Sequence, residues 1–132
     1  MKRRRFWGLL LAVLVLAGCF SSDPAGSDGG DADVIIDMTA DLTYSPAAAT
    51  ARVGETVRWV NRSNVPHTVT ADPDLAANAQ STLLPEGAAP FDSGLIDAGG
   101  SYAHTFTVPG TYRYFCRPHE GAGMIATIVV SE

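Results

Sequence analysis

One short segment of the chain combines three side chains that bind soft or borderline metal ions. The nine residues from Cys116 to Met124 contain a thiol, the imidazole of His119 and a thioether. A second imidazole, His67, lies upstream, directly after Pro66. Two histidines, one cysteine and a weakly bound methionine are the donors of a type 1, or blue, copper centre. We therefore predict one copper ion, cycling between Cu+ and Cu2+, at these four residues.

The spacing of the first two donors suits a tight turn. Two residues separate Cys116 from His119, so one turn can aim the sulfur and the ring nitrogen at the same point. Pro118 fixes its own φ and has no backbone N–H beside the metal. It also favours an extended conformation for Arg117.

The other two donors, Met124 and His67, must be brought to the same point by a loop and by a separate strand. Gly121 and Gly123 permit the positive φ values by which a short loop could bring Met124 back beneath the metal. His67 is expected at the start of a strand, on the opposite lip of the site. A ligand from a rigid strand limits rearrangement when an electron arrives, which suits electron transfer.

Other metal sites use these donors less completely. A single Cys-x-x-His is a weak signal, because turns collect such residues by chance. A two-histidine, one-carboxylate iron site that used Glu120 would leave Cys116 and Met124 unused. Zinc does not ordinarily take a thioether. The third histidine, His104, has no other donor spaced near it in the sequence and is expected to be structural.

The elements that must position these donors are strands. From residue 34 onward, runs rich in Val, Ile, Thr and aromatic residues alternate with Gly, Pro, Asn and Asp clusters, which is typical of an all-β sandwich or barrel. Residues 72–90 are predicted to be a loop with a short helical turn near 75–80, and Pro109-Gly110 a turn. The predicted domain covers residues 34–132, with strands at 34–43, 55–61, 67–71, 91–96, 102–108, 111–115 and 124–130.

The N-terminus has the pattern of a bacterial or archaeal lipoprotein. Residues 1–5 are basic, and the apolar run 6–17 is too short to cross a bilayer core of about 30 Å as a helix. The run ends in Leu-Ala-Gly-Cys. We predict a signal peptide over 1–18 and a lipid on Cys19, which would anchor the exported protein to the outer face of the cytoplasmic membrane.

Two readings of this region stay open. An ordinary secretory signal with an incidental cysteine would give no lipid anchor, and the arginines before Phe6 resemble a twin-arginine export signal as well as a general one. Residues 19–33, rich in Ser, Asp and Gly, are predicted to be a flexible tether. An exported chain could form a disulfide, but Cys19 belongs to the lipid signal and Cys116 to the metal site, so none is expected.

Charge restricts the partners. Removal of residues 1–18 leaves five arginines against fourteen acidic residues, a formal net charge of −9. Such a surface repels nucleic acid and favours a docking partner with a basic face. Solubility in high salt would select the same composition.

Two motifs resemble a known family. The segment from Trp59 to His67, WVNRSNVPH, and the segment from Tyr112 to Met124, YRYFCRPHEGAGM, are similar to those of the plastocyanin family of cupredoxins. The acidic composition and the lipoprotein signal of this chain resemble those of the halocyanins within that family. The resemblance covers residues 34–130.

This resemblance implies an eight-stranded Greek-key β-sandwich with a single type 1 copper bound by His67, Cys116, His119 and Met124. It also implies a mobile one-electron carrier, monomeric and without catalytic activity, between membrane complexes such as an oxidoreductase or a cytochrome. The partner would dock at the edge of His119, where an apolar electron port is implied at Pro66, Pro118, Gly121 and Ala122.

Two residues depart from the plant-type pattern. Phe115 stands where those proteins have a tyrosine, so a second, phenol-based electron route is not expected. Thr68 stands where they have asparagine, so we expect the hydrogen bond that steadies the thiolate to come from a hydroxyl or to be lost.

Two other function classes compete with the carrier. A copper chaperone or store would favour exposed, exchangeable thiolate or Met-rich ligands, whereas the whole chain has three methionines. A copper oxidase or nitrite reductase needs further histidine clusters, and the chain has three histidines in all.

Overall fold

A computed structural model describes residues 31–132 as nine strands and three short 3-10 turns. The strands are β1 (Val34–Met38), β2 (Tyr44–Ser45), β3 (Ala48–Arg52), β4 (Thr56–Asn61), β5 (Thr70–Ala71), β6 (Phe91–Asp92), β7 (Ser101–Thr105), β8 (Gly110–Phe115) and β9 (Ile125–Ser131). The 3-10 turns cover Pro73–Leu75, Ala79–Ser81 and Arg117–Ala122. No helix in this described part is long and apolar enough to cross a bilayer.

The longer strands form because their side chains alternate between two environments. In β4 the side chains of Val57, Trp59 and Asn61 are buried while their neighbours are partly exposed. β9 repeats the pattern with Ala126, Ile128 and Val130. This period of two matches successive side chains on opposite faces of a sheet.

The strands make two sheets that pack face to face. One has the order β2-β1-β4-β7 and the other β3-β9-β8-β5-β6. The pairs β1/β4 and β3/β9 are parallel, and the other paired strands are antiparallel. The expected cupredoxin-like β-sandwich is confirmed, with Trp59 and Tyr114 in edge-to-face contact between the sheets.

The strand boundaries differ from those predicted. The first predicted strand, 34–43, ends at Met38, and the chain then turns before the short β2. Strand β3 was not predicted, because Ala48–Arg52 has only Ala51 buried and therefore no apolar alternation to recognise. With β2 and β3 added to the seven strands predicted from the sequence, the described residues form nine strands, one more than the family resemblance implied.

The two strands beside the predicted metal site are shorter than expected. β5 begins at Thr70 and β6 ends at Asp92, while His67 and Ile96 form an isolated antiparallel bridge. The predicted helical turn at 75–80 is replaced by two separate 3-10 turns. The signal peptide, Cys19 and all but the last three residues of the tether lie outside the described residues.

Candidate metal centre

The four predicted ligands lie at one end of the five-stranded sheet. Cys116 directly follows β8, Met124 directly precedes β9, and His67 lies three residues before Thr70, where β5 begins. Because β8 is antiparallel to both β9 and β5, the end of β8 lies beside the starts of β9 and β5, at the same end of the sheet. His119 lies in the connection between β8 and β9, inside the 3-10 turn Arg117–Ala122.

The donor atoms of three of these residues converge. Nδ1 of His67 is 3.2 Å from Nδ1 of His119, and Sγ of Cys116 is 3.7 Å and 3.4 Å from these two nitrogens. Metal–nitrogen and metal–sulfur bonds of about 2.0–2.3 Å, radiating from one ion, place donors at separations of about 3–4 Å. The triangle therefore fits one metal ion, and its mixture of thiolate and imidazole suits copper.

Met124 is brought to the same loop, with its side chain buried. Its carbonyl accepts a hydrogen bond from the Cys116 N–H at 3.0 Å, and its own N–H donates to the His119 carbonyl at 3.2 Å. The side chain is 0% exposed. An axial role for its sulfur stays a prediction.

The ligand loop, residues 116–124, closes through one glycine rather than two. Gly123 has φ +84° and caps the 3-10 turn by donating to the carbonyls of Glu120 and His119. Gly121 does not have a positive φ. The predicted need for a left-handed residue therefore falls on Gly123 alone.

Two successive hydrogen bonds orient the His67 ring on the side away from the other donors. Its Nε2 lies 2.9 Å from Ser63 Oγ, whose hydroxyl donates to Asn61 Oδ1 at 2.7 Å. Because that hydroxyl hydrogen is used, Ser63 Oγ accepts from the Nε2–H of His67. Nδ1 then carries the lone pair and faces the other donors, as a metal-binding histidine requires.

Asn61 is fixed in turn. Its side-chain amide donates to the carbonyls of Val65 and Ile96 at 2.8 Å and 2.9 Å, and its Oδ1 also accepts from the Ser63 N–H at 2.9 Å. Every polar atom of this buried side chain is therefore bonded. Neither Ser63 nor Asn61 was predicted from the sequence to support the site, although both lie inside the motif before His67.

Thr68 supports the thiolate differently from the expectation. Its backbone N–H donates to Sγ of Cys116 at 3.3 Å, so the bond is not lost and does not depend on the hydroxyl. Its hydroxyl oxygen instead accepts from the Arg117 N–H at 2.8 Å and joins the two ligand segments. A backbone donor is indifferent to the side chain, which explains why threonine can replace asparagine here.

Burial is the main cause of the pKa shifts of His67 and Cys116. Burial lowers the pKa of His67, and the neighbouring His119 imidazole lowers it further. Burial raises the pKa of the Cys116 thiol, while the Thr68 N–H acts in the opposite direction. The neutral form of His67 is thus favoured, and a cation that binds here must displace the thiol proton.

Glu120 ties the ligand loop to the long loop between β5 and β6. Its two carboxylate oxygens accept from the N–H groups of Ala77 and Asn78, both at 2.9 Å. Although partial burial raises the pKa of Glu120, these donors outweigh it and hold the pKa below the ordinary value. Glu120 therefore contributes to loop structure, not to the converging donor triangle.

The exposed surface beside the ligands combines small apolar residues with Leu95 and Arg117. His67 is buried, His119 is partly exposed, and the four residues predicted to surround the electron port, Pro66, Pro118, Gly121 and Ala122, are all exposed. Leu95 is 67% exposed and lines a shallow pocket with Thr68, Arg117 and Pro118. Leu95 was missed because it is distant in sequence from every ligand.

His104 lies away from the donor triangle. It stacks on Phe91 with ring centroids 4.0 Å apart and packs edge-to-face against Phe106 at 4.8 Å. Burial lowers its pKa. These contacts fit the structural role expected for His104.

Comparisons with known proteins agree with this geometry. Residues 31–131 match the family described as copper binding proteins, plastocyanin/azurin family. A plastocyanin of Scenedesmus fuscus is 40% identical over 104 residues, covering 74% of this chain and 99% of the relative. A plastocyanin of Synechococcus sp. (strain JA-2-3B'a(2-13)) is 34% identical over 141 residues, covering 99% and 94%.

Solved structures extend the agreement to the fold. An oxidised proline-to-glycine mutant of amicyanin superposes with a TM-score of 0.61 at 29% identity, covering 81% of this chain and 90% of that one. The Cu(I) form of another amicyanin mutant gives 0.60 at 29% identity, covering 77% and 85%. With the His-Cys-His triangle at the strand ends of a two-sheet sandwich, these matches show that the chain belongs to the plastocyanin/azurin family of copper-binding proteins.

Proposed function

We propose that this protein is a one-electron carrier that uses a single copper ion held by His67, Cys116 and His119, with Met124 as the axial ligand. The observation that carries the proposal is the convergence of the three donor atoms at 3.2–3.7 Å, on two segments that are joined by hydrogen bonds from Thr68 to Cys116 and from Arg117 to Thr68. Copper would supply the one-electron exchange when bound. The protein's part is to hold both oxidation states in one geometry.

The partly exposed edge of His119 is the proposed point of electron exchange. Small and apolar exposed residues around it would let a redox protein approach closely and exclude water at contact. The acidic surface is proposed to favour a partner with a basic face, so that the rate should fall as salt rises. A rate that does not change with salt would assign the acidic charge to solubility. The carrier is proposed to work as a monomer, with no nucleic acid partner.

The site does not suit copper delivery or storage as well. His67 and Cys116 are each 0% exposed, and both are hydrogen-bonded to neighbouring segments. Ligand exchange with another protein would require this structure to open. A carrier, by contrast, needs the metal to stay while the electron leaves.

One experiment separates these functions. The copper-loaded protein is cycled between oxidised and reduced forms with a small one-electron reagent, in the presence of a chelator specific for Cu(I). We expect reversible cycling with copper retained, and no cycling in Cys116→Ser. Loss of copper to the chelator on the first reduction would favour the chaperone or store and contradict the carrier.

The membrane anchor is a separate part of the proposal. We propose that the exported protein is held at the outer face of the cytoplasmic membrane through lipid on Cys19. The support is the signal sequence alone, with its basic start, short apolar run and Leu-Ala-Gly-Cys end. Mass spectrometry of the membrane fraction should find a mature chain that begins at a diacylglyceryl-modified Cys19. An unmodified soluble chain that starts elsewhere would exclude this anchor.

A further inference from the structure

A ring of hydrogen bonds beside the copper site connects the two ligand segments through residues that do not bind metal. The Arg117 N–H donates to Thr68 Oγ1 at 2.8 Å, and Thr68 Oγ1 lies 2.9 Å from Thr70 Oγ1. The Thr70 hydroxyl donates to Asp92 Oδ1 at 2.7 Å. The other carboxylate oxygen of Asp92 accepts from the Arg117 guanidinium at 3.3 Å, which closes the ring.

The direction of every bond in this ring is determined. As a carboxylate, Asp92 can only accept, so the Thr70 hydroxyl uses its single hydrogen on Asp92. Thr70 Oγ1 can then only accept from Thr68, whose own oxygen is left to accept from the Arg117 N–H. Bonds aligned in this way polarise one another, so the strength of the Arg117 bond depends on Asp92 at the far end.

The position of the ring explains what it can hold. Thr68 follows the ligand His67, and Arg117 lies between the ligands Cys116 and His119. Thr70 is paired directly with Asp92 across β5 and β6, and with Phe115 across β5 and β8. Thr68 and Thr70 are 1% and 0% exposed, so an unmade bond within the ring would leave a buried polar atom.

We propose that Asp92 is a positioning residue for the copper site, holding the Cys116–His119 segment against the His67 segment through Thr70, Thr68 and Arg117. The proposal rests on the copper site but not on the identity of the electron partners. Asp92 acts before copper arrives, because the ring contains only protein groups. A site assembled in advance binds its metal without paying the ordering cost at that moment.

The first test uses the copper-free protein. Backbone hydrogen exchange at Arg117, followed by NMR, reports directly on the N–H that Thr68 accepts. In Asp92→Ala and in Thr70→Val we expect exchange about fivefold faster than in the unchanged protein, the factor expected for loss of one hydrogen bond. Thr70→Val keeps the shape of the side chain and serves if Asp92→Ala folds poorly.

A second ion pair provides a matched control. Asp37 accepts from Arg62 Nε at 3.2 Å on the surface of the other sheet, and it bonds no hydroxyl of a ligand segment. Asp37→Ala therefore removes a comparable surface pair and should leave exchange at Arg117 unchanged. Equal acceleration in Asp37→Ala and Asp92→Ala would mean general loosening and overturn the proposal.

The second test measures copper release. The rate at which a chelator removes Cu(II) should rise about tenfold in Asp92→Ala and Thr70→Val, as for other groups that orient ligands. The double variant should be no faster than either single one, because each breaks the same ring. Additive effects, or rates within about twofold of the unchanged protein, would contradict a positioning role. If the unchanged protein bound no copper, the proposed function would fail, while the exchange test would still report on the ring.

Discussion

At the site, single hydrogen bonds decide which atom of a side chain faces the metal. His67 presents Nδ1 because Nε2 already donates to Ser63 Oγ at 2.9 Å. The backbone N–H of Thr68 reaches the Cys116 sulfur at 3.3 Å. Neither supporting atom would bind the metal, but together they set the ring orientation of one ligand and steady the charge of another.

Ser63→Ala should weaken copper binding without removing the blue colour. The His67 ring would lose the acceptor that fixes its orientation, and such supports are worth about 10–100-fold in metal affinity. Competition with a chelator measures the change. Thr105→Val is the control, since it removes a 2.7 Å hydroxyl contact to Thr56 away from the ligands. An affinity as high as that of the control would show that Ser63 does not orient His67.

Met124→Leu should change the reduction potential while keeping the protein blue and folded. Leucine conserves the volume of this fully buried side chain, so the cost in stability should stay below about 1.5 kcal/mol. Loss of a sulfur donor penalises the more highly charged Cu(II) more than Cu(I), so the potential should rise. Voltammetry of both proteins measures it. An unchanged potential would exclude axial ligation by Met124.

At the scale of elements, the ligand loop depends on a backbone conformation at its end. Gly123 has φ +84° and ψ 20°, whereas Gly121 does not have a positive φ. A Cβ added at either position would meet no atom within 4 Å. The two glycines therefore differ in backbone conformation but not in available space.

This difference gives a matched pair of variants. Gly123→Ala should lower the free energy of unfolding by about 1–2 kcal/mol, the cost of a left-handed conformation for an L-residue. Gly121→Ala should change it by less than about 0.5 kcal/mol. Chemical denaturation of the copper-free proteins measures both. Equal losses would show that the positive φ of Gly123 does not limit substitution in this loop.

The sequence predicted those elements whose side chains alternate. β4, β8 and β9 were placed within a residue or two, because each has an apolar face of period two. β3 was missed because a run of small and polar residues has no such face. β5 and β6 were predicted too long. Regular strand pairing covers only Thr70–Ala71 and Phe91–Asp92 and does not extend to His67.

The metal-binding residues were easier to predict than their supports. Three of the four predicted ligands converge, and their chemical types alone made them recognisable. Asp92 and Thr70 form ordinary bonds that exist only once distant strands pair. No residue type or spacing distinguishes Asp92 from the other acidic residues of this chain.

At the scale of the whole molecule, stability should depend on pH through a histidine outside the metal site. Burial lowers the pKa of His104. The unfolded chain would therefore take up a proton near about pH 6.5 that the folded protein still rejects. The stabilisation from neutral His104 is fully present above that pH and is lost as the pH falls below it.

His104→Phe should reduce this loss. Phenylalanine can keep the stack on Phe91, which is 4.0 Å from the imidazole, and cannot be protonated. The unfolding free energy of the copper-free variant should fall less between about pH 7 and about pH 5 than that of the unchanged protein. His67 contributes with the same sign in both proteins and cancels in the comparison. Identical pH dependence would mean that His104 is protonated equally well in the folded and unfolded states.

The absorption spectrum of the purified protein with one equivalent of Cu(II) is the deciding measurement for a blue copper site. We expect an intense blue thiolate-to-copper band from the thiolate of Cys116 and the imidazoles of His67 and His119. Cys116→Ser should abolish this band. A colourless or merely pale product from the unchanged chain, or a blue Cys116→Ser protein, would exclude a blue copper site with Cys116 as its thiolate ligand.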